Sequence, residues 1–376
     1  MDLKTRKTIV NRLSQEYKRA RKKQKGVILD ELIRLTDYNR SYARRILRRP
    51  PNLKKHPRVK GSSYSSIFSK LRSLWAISHF ACGQRLGPLI PVYLDSLTRH
   101  GELKVTAFEK KLLLKISSAT VDRLLKEDKK KLNITGKGRS YTKPGSLLKH
   151  QIPIHTWRDW DNSKPGFLEI DTVHHSGGNP SGEYIHTLDT TDVSTGWNEC
   201  QALMGRGETG LVKALEKIKD NLPLPMFGID FDSGGEFVNW HLVRYCKRNK
   251  LTYTRARESY SNDQPYIEQQ NFSVVRTFVG YKRLDSSKQL ELLNKLYLKL
   301  SDYQNFFQSV MRLKEKTRNG AHVTRRYGKA KTAFQRVLES PDIPEEVKEK
   351  LKDRFLSLNP KKLLLEINAL SKMINS

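Results

Sequence analysis

The chain has 376 residues, 37% hydrophobic and 29% charged, with a formal net charge of +32. That length calls for two to four domains. No apolar run approaches the ~18 residues of a membrane span, and the start Met1-Asp-Leu-Lys reads as lacking a signal peptide. Cys82, Cys200 and Cys246 form no Cys-x-x-Cys pair, which argues against a disulfide framework or a structural zinc site. The expected setting is a reducing cytoplasm, in association with the nucleoid.

Charge is unevenly spread. Residues 1–60 carry 20 Lys/Arg against 5 Asp/Glu, residues 61–150 carry 17 against 6, residues 151–310 carry 18 against 20, and residues 311–376 carry 16 against 8. Four regions follow: a basic N-terminal domain, a second basic helical region with a linker, a core without positive excess, and a basic C-terminal accessory region. Basic arms around such a core suit a polyanion, and double-stranded DNA is the expected partner.

Residues 25–49 read as helix, tight turn, helix. Val27, Ile28, Leu32, Ile33 and Leu35 supply an apolar stripe, and Thr36-Asp37-Tyr38-Asn39 supplies turn and N-cap chemistry. The second helix would bury Ala43, Ile46 and Leu47 and expose Arg40, Ser41, Arg44, Arg45 and Arg48. In a helix-turn-helix such a face enters the major groove, where arginines reach guanine edges or phosphates. Pro50-Pro51 end the helix, and residues 54–66 read as a linker. Helical patterns follow over Ser69–Phe80 and Leu89–Arg99. A second helix-turn-helix pattern covers Phe108–Lys126, capped by Ser117-Ser118, with Val121, Leu124 and Leu125 inward and Thr120 and Arg123 outward. Residues 129–145 read as an extended basic linker.

The core reads as three strands, Phe167–Val173, Tyr184–Thr190 and Trp197–Leu203, then helix Glu208–Asn221, strand Met226–Phe231, helix Glu236–Lys247 and strand Leu251–Arg255. A polar loop, 258–263, precedes a helical segment that bears Glu268. Three carboxylates stand out: Asp171 in Glu-Ile-Asp-Thr-Val, Asp232 in Asp-Phe-Asp-Ser-Gly-Gly-Glu-Phe, and Glu268 in Tyr-Ile-Glu-Gln-Gln-Asn, the last two 36 positions apart. Strand alternation puts Asp171 on one face with Glu169, and Asp232 with Asp230, so periodicity cannot choose within either pair.

With these flanks the sequence resembles the integrase-like catalytic domain of bacterial insertion-sequence transposases, over roughly residues 166–285. The resemblance implies an α/β ribonuclease-H-like core preceded by all-α helix-turn-helix DNA-binding domains. It selects Asp171, Asp232 and Glu268 as the catalytic triad and as the ligands of two Mg²⁺ ions, for which Mn²⁺ could substitute. The usual Asp-Asn-Gly turn is Asp232-Ser233-Gly234 here, which touches a turn contact and no ligand. Carboxylates suit Mg²⁺, a hard cation that takes oxygen ligands.

The implied activity is DNA transposition, with hydrolysis at transposon ends and strand transfer into target DNA by a homo-oligomer on paired ends. Asn271 and Arg276, on the segment after Glu268, are expected to contact the DNA end. A regulator that had lost catalysis would share the basic arms but not need all three acids. Asp189 and Asp192 read as turn residues, His174 and His175 as turn or DNA-contact residues, and Trp157, Trp160 and Trp197 as packing residues. At the C-terminus, helical patterns cover Lys288–Val310, Ala333–Leu338, Pro344–Leu358 and Leu363–Ile374, and the basic stretch 314–331 shows little periodicity.

Overall fold

The computed structural model describes residues 3–50, 64–132, 164–205, 207–231, 240–255, 267, 270–319 and 322–376. They form two compact units, Met1–Ser65 and Ser66–Ser376.

The first unit is three helices, α1 (Leu3–Arg19), α2 (Lys22–Thr36) and α3 (Arg40–Arg48). Asp37 ends α2 in the left-handed conformation at φ 58°, and Asn39 begins α3 by accepting the Tyr42 amide at 2.8 Å. Between them the two residues turn the chain sharply, as the turn chemistry required. The core joins Val10 and Leu13 of α1 to Leu29 and Leu32 of α2 and Ala43, Ile46 and Leu47 of α3. Each fully buried leucine contributes about 2 kcal/mol. The helix α1 has no counterpart in the sequence reading, and it corrects the stripe on α2. Val27 and Leu35 are 68% and 42% exposed while Leu29 is buried, because α1 and α3 cover only the face of α2 that carries Leu29 and Leu32.

The second unit begins with α4 (Phe68–Ile77), α5 (Gly83–Arg99), α6 (Ala107–Lys115), α7 (Ser118–Leu124) and α8 (Lys126–Lys131). The start of α5 crosses α7 so closely that a Cβ at Gly83 would sit 2.1 Å from the Ser118 carbonyl oxygen. A five-stranded sheet follows, ordered β3-β2-β1-β4-β5. Its strands are β1 (Phe167–His174), β2 (Ile185–Asp192), β3 (Asn198–Met204), β4 (Gly228–Phe231) and β5 (Thr252–Arg255). The first three are antiparallel neighbours, and β4 and β5 run parallel to β1. Helix α9 (Glu208–Asn221) lies between β3 and β4 in the chain, and α10 (Trp240–Arg248) between β4 and β5. Three antiparallel strands and then helix-crossed parallel ones is the order read from the sequence.

The two faces of this sheet differ. Leu168, Ile170, Leu188, Ile229 and Phe231 point into an apolar core with Leu211, Leu215 and Ile218 of α9 and Leu242 and Cys246 of α10. The opposite face is polar, and α11 (Ser287–Phe307) lies against it. Asn294 Oδ1 accepts the Ala202 amide at 2.8 Å and Asn305 Oδ1 the Asn198 amide at 2.9 Å. Those amides lie along the open edge of β3, so α11 satisfies donors that an edge strand otherwise leaves free.

Helices α12 (Ala333–Glu339), α13 (Glu345–Ser357) and α14 (Pro360–Asn375) complete the unit. Tyr93 of α5 donates to the Phe307 carbonyl at 2.8 Å, and Ser96 to the Leu358 carbonyl at 2.8 Å. These bonds tie α5 to the end of α11 and to the segment before α14 within the second unit. Between α11 and α12, where little periodicity is legible, the chain forms a separate two-stranded ribbon, β6 (Leu313–Asn319) and β7 (His322–Tyr327). No helix among the described residues is long and apolar enough to cross a membrane.

Candidate active site

β1 is the central strand, and its register fixes what can gather around Asp171. Ile170 opposite Phe231 is the last pair between β1 and β4, and on the other side Asp171 faces Asp189 of β2. Asp232 follows Phe231 directly in the chain and lies outside the described residues, as does Glu268.

Burial separates the acids that alternation leaves equivalent. Glu169 is buried, and its Oε2 accepts the Ile267 amide at 2.9 Å. Asp230 is fully buried, and its Oδ1 accepts the Thr254 hydroxyl at 2.6 Å. Asp171 is only half-buried; its Oδ1 accepts the Thr172 amide at 2.7 Å and its Oδ2 accepts Asn271 Nδ2 at 2.5 Å. Of the acids on β1, Asp171 is thus the one open to an incoming group.

The segment around Glu268 is anchored on both sides. Ile267 before it is buried and tied to Glu169, and Asn271 after it is tied to Asp171. Residues Asn271–Arg276 form a π-helical stretch, a widened winding common at functional sites. Gln270 is buried, and its side-chain oxygen accepts Gln304 Nε2 of α11 at 3.2 Å. The Arg276 guanidinium donates to the His174 carbonyl at 2.9 Å and the Gly280 carbonyl at 3.3 Å, and stands 4.8 Å from the Tyr281 ring centre. Asn271 and Arg276, read from the sequence as DNA contacts, are here engaged in holding this segment to β1.

Neighbouring polar residues divide by role. Asp192 does turn chemistry: it accepts the Thr195 amide and hydroxyl, each at 2.6 Å, and the Gly166 amide at 2.7 Å. Asp189 differs from the turn reading, because β2 runs on to Asp192 and makes Asp189 a buried strand residue on the face of Asp171. Burial pushes its carboxyl up to about 7, opposed by Asn198 Nδ2 at 2.6 Å, and its Oδ2 has no partner among the described residues. His175 is also not a surface turn residue. It is buried, its Nε2 lies 2.8 Å from the Thr187 hydroxyl, and burial lowers its pKa to about 3. Trp197 is buried against Phe306, as a packing residue should be. Trp157 and Trp160 lie outside the described residues.

The candidate DNA-reading faces are formed as follows. On α3, Arg40, Ser41, Arg44, Arg45 and Arg48 are all exposed, while Ala43, Ile46 and Leu47 are buried. Arg40 forms an ion pair with Asp30, and Arg45 stacks 5.1 Å from the Tyr42 ring centre. On α7, Ser117 caps the helix through the Thr120 amide at 3.2 Å. Val121 and Leu125 are buried, Leu124 is half-buried, and exposed Arg123 donates to the Thr120 hydroxyl at 3.3 Å.

A central mixed sheet with one apolar and one acid-bearing face defines an α/β protein. No family model matches the chain. The chain belongs to the same family as the uncharacterized protein y4rM of Sinorhizobium fredii (strain NBRC 101917 / NGR234), with 36% identity over 334 residues, 87% of this chain and 93% of that protein. Among solved structures it is similar to the catalytic core domain of BIV integrase, at 15% identity and TM-score 0.32, over 49% of this chain and 97% of that one. It is also similar to the HTLV-2 integrase catalytic core domain in complex with magnesium, at 12% identity and TM-score 0.29, over 39% of this chain and 89% of that one.

Proposed function

We propose that the chain is a DNA transposase: a polynucleotidyl transferase that hydrolyses phosphodiesters at transposon ends and joins the freed 3′-hydroxyls to target DNA. The observation that carries this reading is the double attachment around Glu268, through Ile267 to Glu169 and through Asn271 to Asp171. It draws the chain on both sides of a third carboxylate towards the strand that bears the first. Asp232, next in sequence after the last residue of β4, is the second.

Asp171, Asp232 and Glu268 would hold two Mg²⁺ ions. Among the described residues no group of three or more His, Cys, Asp or Glu forms a metal cluster, and two of these three acids lie outside them. What is described fits the ion: the donors are oxygens, Asp171 is partly open, and the buried Asn271 Oδ1 beside it has no partner among the described residues. When bound, such ions activate water and stabilise the attacking and leaving oxygens of an in-line displacement. The protein's own part is to hold the carboxylates ionised and fixed. Asn271 orients Asp171 by donating to one oxygen, and the Thr172 amide fixes the other.

The exposed arginine face of α3, and Thr120 and Arg123 of α7, would read the element's end, with the chains acting as an oligomer on paired ends. The test is cleavage and strand transfer on a duplex carrying the inverted repeat that flanks the gene, with Mg²⁺ or Mn²⁺ supplied. Nicking at the repeat boundary that leaves a 3′-hydroxyl is expected. Undiminished activity in chelator would exclude the mechanism.

A further inference from the structure

The ribbon β6–β7 is the least protein-like part of the second unit. It is apart from the five-stranded sheet, and each of its side chains that is described is exposed, Leu313 and Tyr327 included at 47% and 53%. A two-stranded ribbon is marginal by itself. Its charge is one-sided. Leu313–Tyr327 holds five Lys/Arg against one acid, Glu315. The one acid is paired with Arg326 at 3.4 Å, and Arg325 has no ion-pair partner among the described residues.

The base of the ribbon is fastened firmly. The Gly328 amide donates to the Arg312 carbonyl at 2.8 Å, and Val310 and Lys331 form a bridge beneath it. Arg312 donates to the Val193 carbonyl, and Arg336 to the Val310 carbonyl at 2.6 Å and the Thr195 carbonyl at 3.4 Å. Both of these arginines are turned into the protein, whereas the cations described on the ribbon face solvent. The anchor, the β2–β3 turn, is at the Phe167 end of β1, since the Val193 amide bonds the Phe167 carbonyl at 2.9 Å. Asp171 is four residues along that strand, roughly 13 Å at the strand rise. Seven residues of ribbon extend about 23 Å. The arm is therefore rooted within about half a helical turn of DNA from Asp171.

We infer that β6–β7 is an arm that grips the phosphates of the duplex engaged at Asp171, without reading sequence. The inference rests on the proposed DNA strand-transfer function and assigns the arm its partner, double-stranded DNA. A polyanion would pair with Lys314, Arg325 and Arg326, the cations described as exposed on the ribbon. A two-stranded ribbon also has the width to enter a major groove.

The experiment uses the full chain and compares it with Lys314→Gln/Arg325→Gln/Arg326→Gln and with Arg325→Lys/Arg326→Lys. Binding to a random-sequence duplex of about three helical turns is followed by fluorescence anisotropy over a salt series, and assembly without DNA by analytical ultracentrifugation. The slope of log affinity on log salt should fall by about 2–3 in the glutamine variant, near 0.9 for each phosphate no longer neutralised. The lysine variant should keep the slope. Affinity for random and end-sequence duplexes should fall by the same factor. An unchanged slope, or a changed subunit assembly with an unchanged slope, overturns the arm and makes the ribbon a protein contact. A wild-type chain with no affinity for any duplex overturns the arm and the function beneath it together.

Discussion

Asn271 Nδ2 donates to Asp171 Oδ2 at 2.5 Å across 100 residues of sequence, joining the π-helical stretch to the centre of the sheet. The bond leaves Asn271 Oδ1 buried without a partner among the described residues, beside the half-open carboxylate. Asn271→Ala should therefore spare the fold and lower end cleavage about 10–100-fold, the usual cost of losing a group that orients a metal ligand. Raising Mg²⁺ should recover part of the rate. A variant that cleaves like wild type at limiting Mg²⁺ would show that the bond does nothing for Asp171.

Neutralising the carboxylates separates chemistry from binding. Asp171→Asn, Asp232→Asn and Glu268→Gln should each abolish cleavage and strand transfer while retaining end binding in gel shift. Glu169→Gln and Asp230→Asn keep an oxygen that can accept from Ile267 N–H and Thr254 O–H, so they should act mainly on stability, by about 1–3 kcal/mol. Robust cleavage by Glu268→Gln would end the triad assignment.

The reading helix should show a hierarchy. Arg40 is drawn to Asp30 and Arg45 to the Tyr42 ring, whereas Arg44 and Arg48 make no ion pair among the described residues. Arg44→Ala should cost end-specific binding about 1–3 kcal/mol, and more than it costs binding to random DNA. Equal losses on both duplexes would reduce the contact to phosphate.

Stability should fall as pH rises towards neutrality. Burial pushes Glu199 up to about 7, although Ser301 at 2.6 Å and the Trp197 indole at 2.8 Å both donate to its Oε1. Above the ordinary carboxyl range the unfolded chain has released this proton while the folded chain keeps it. Stability is therefore fully present in acid and is lost as pH climbs to about 7. Asp189, also held near 7, acts with the same sign. Glu199→Gln should flatten part of the slope of the urea midpoint with pH, and an unaltered slope would count against a protonated Glu199.

Much of this protein is written in local patterns. Alternation and turn chemistry mark β1 to β5 to within a few residues, because a strand buried on one apolar face must repeat every two positions. Asn39, Ser117 and the arginine face of α3 are equally local, since a helix start and a helix face depend on neighbours in sequence. The ribbon carried a local signal too, Asn319-Gly320 between two strand-like runs, but its solvated strands have no apolar alternation to reveal them.

Pairing across the chain is another matter. That Glu169 is buried and Asp171 half-open follows from which segment packs over β1, and that segment lies about 100 residues away in the same sequence. The burial of Leu29 in place of Val27 and Leu35 depends likewise on α1, and the seating of Asp189 beside Asp171 on a register that no periodicity encodes. Sequence determined most of the elements, β1 to β5 among them, and the acids they carry. Only tertiary packing, which sets burial and partners residue by residue, decided which of those acids stand open.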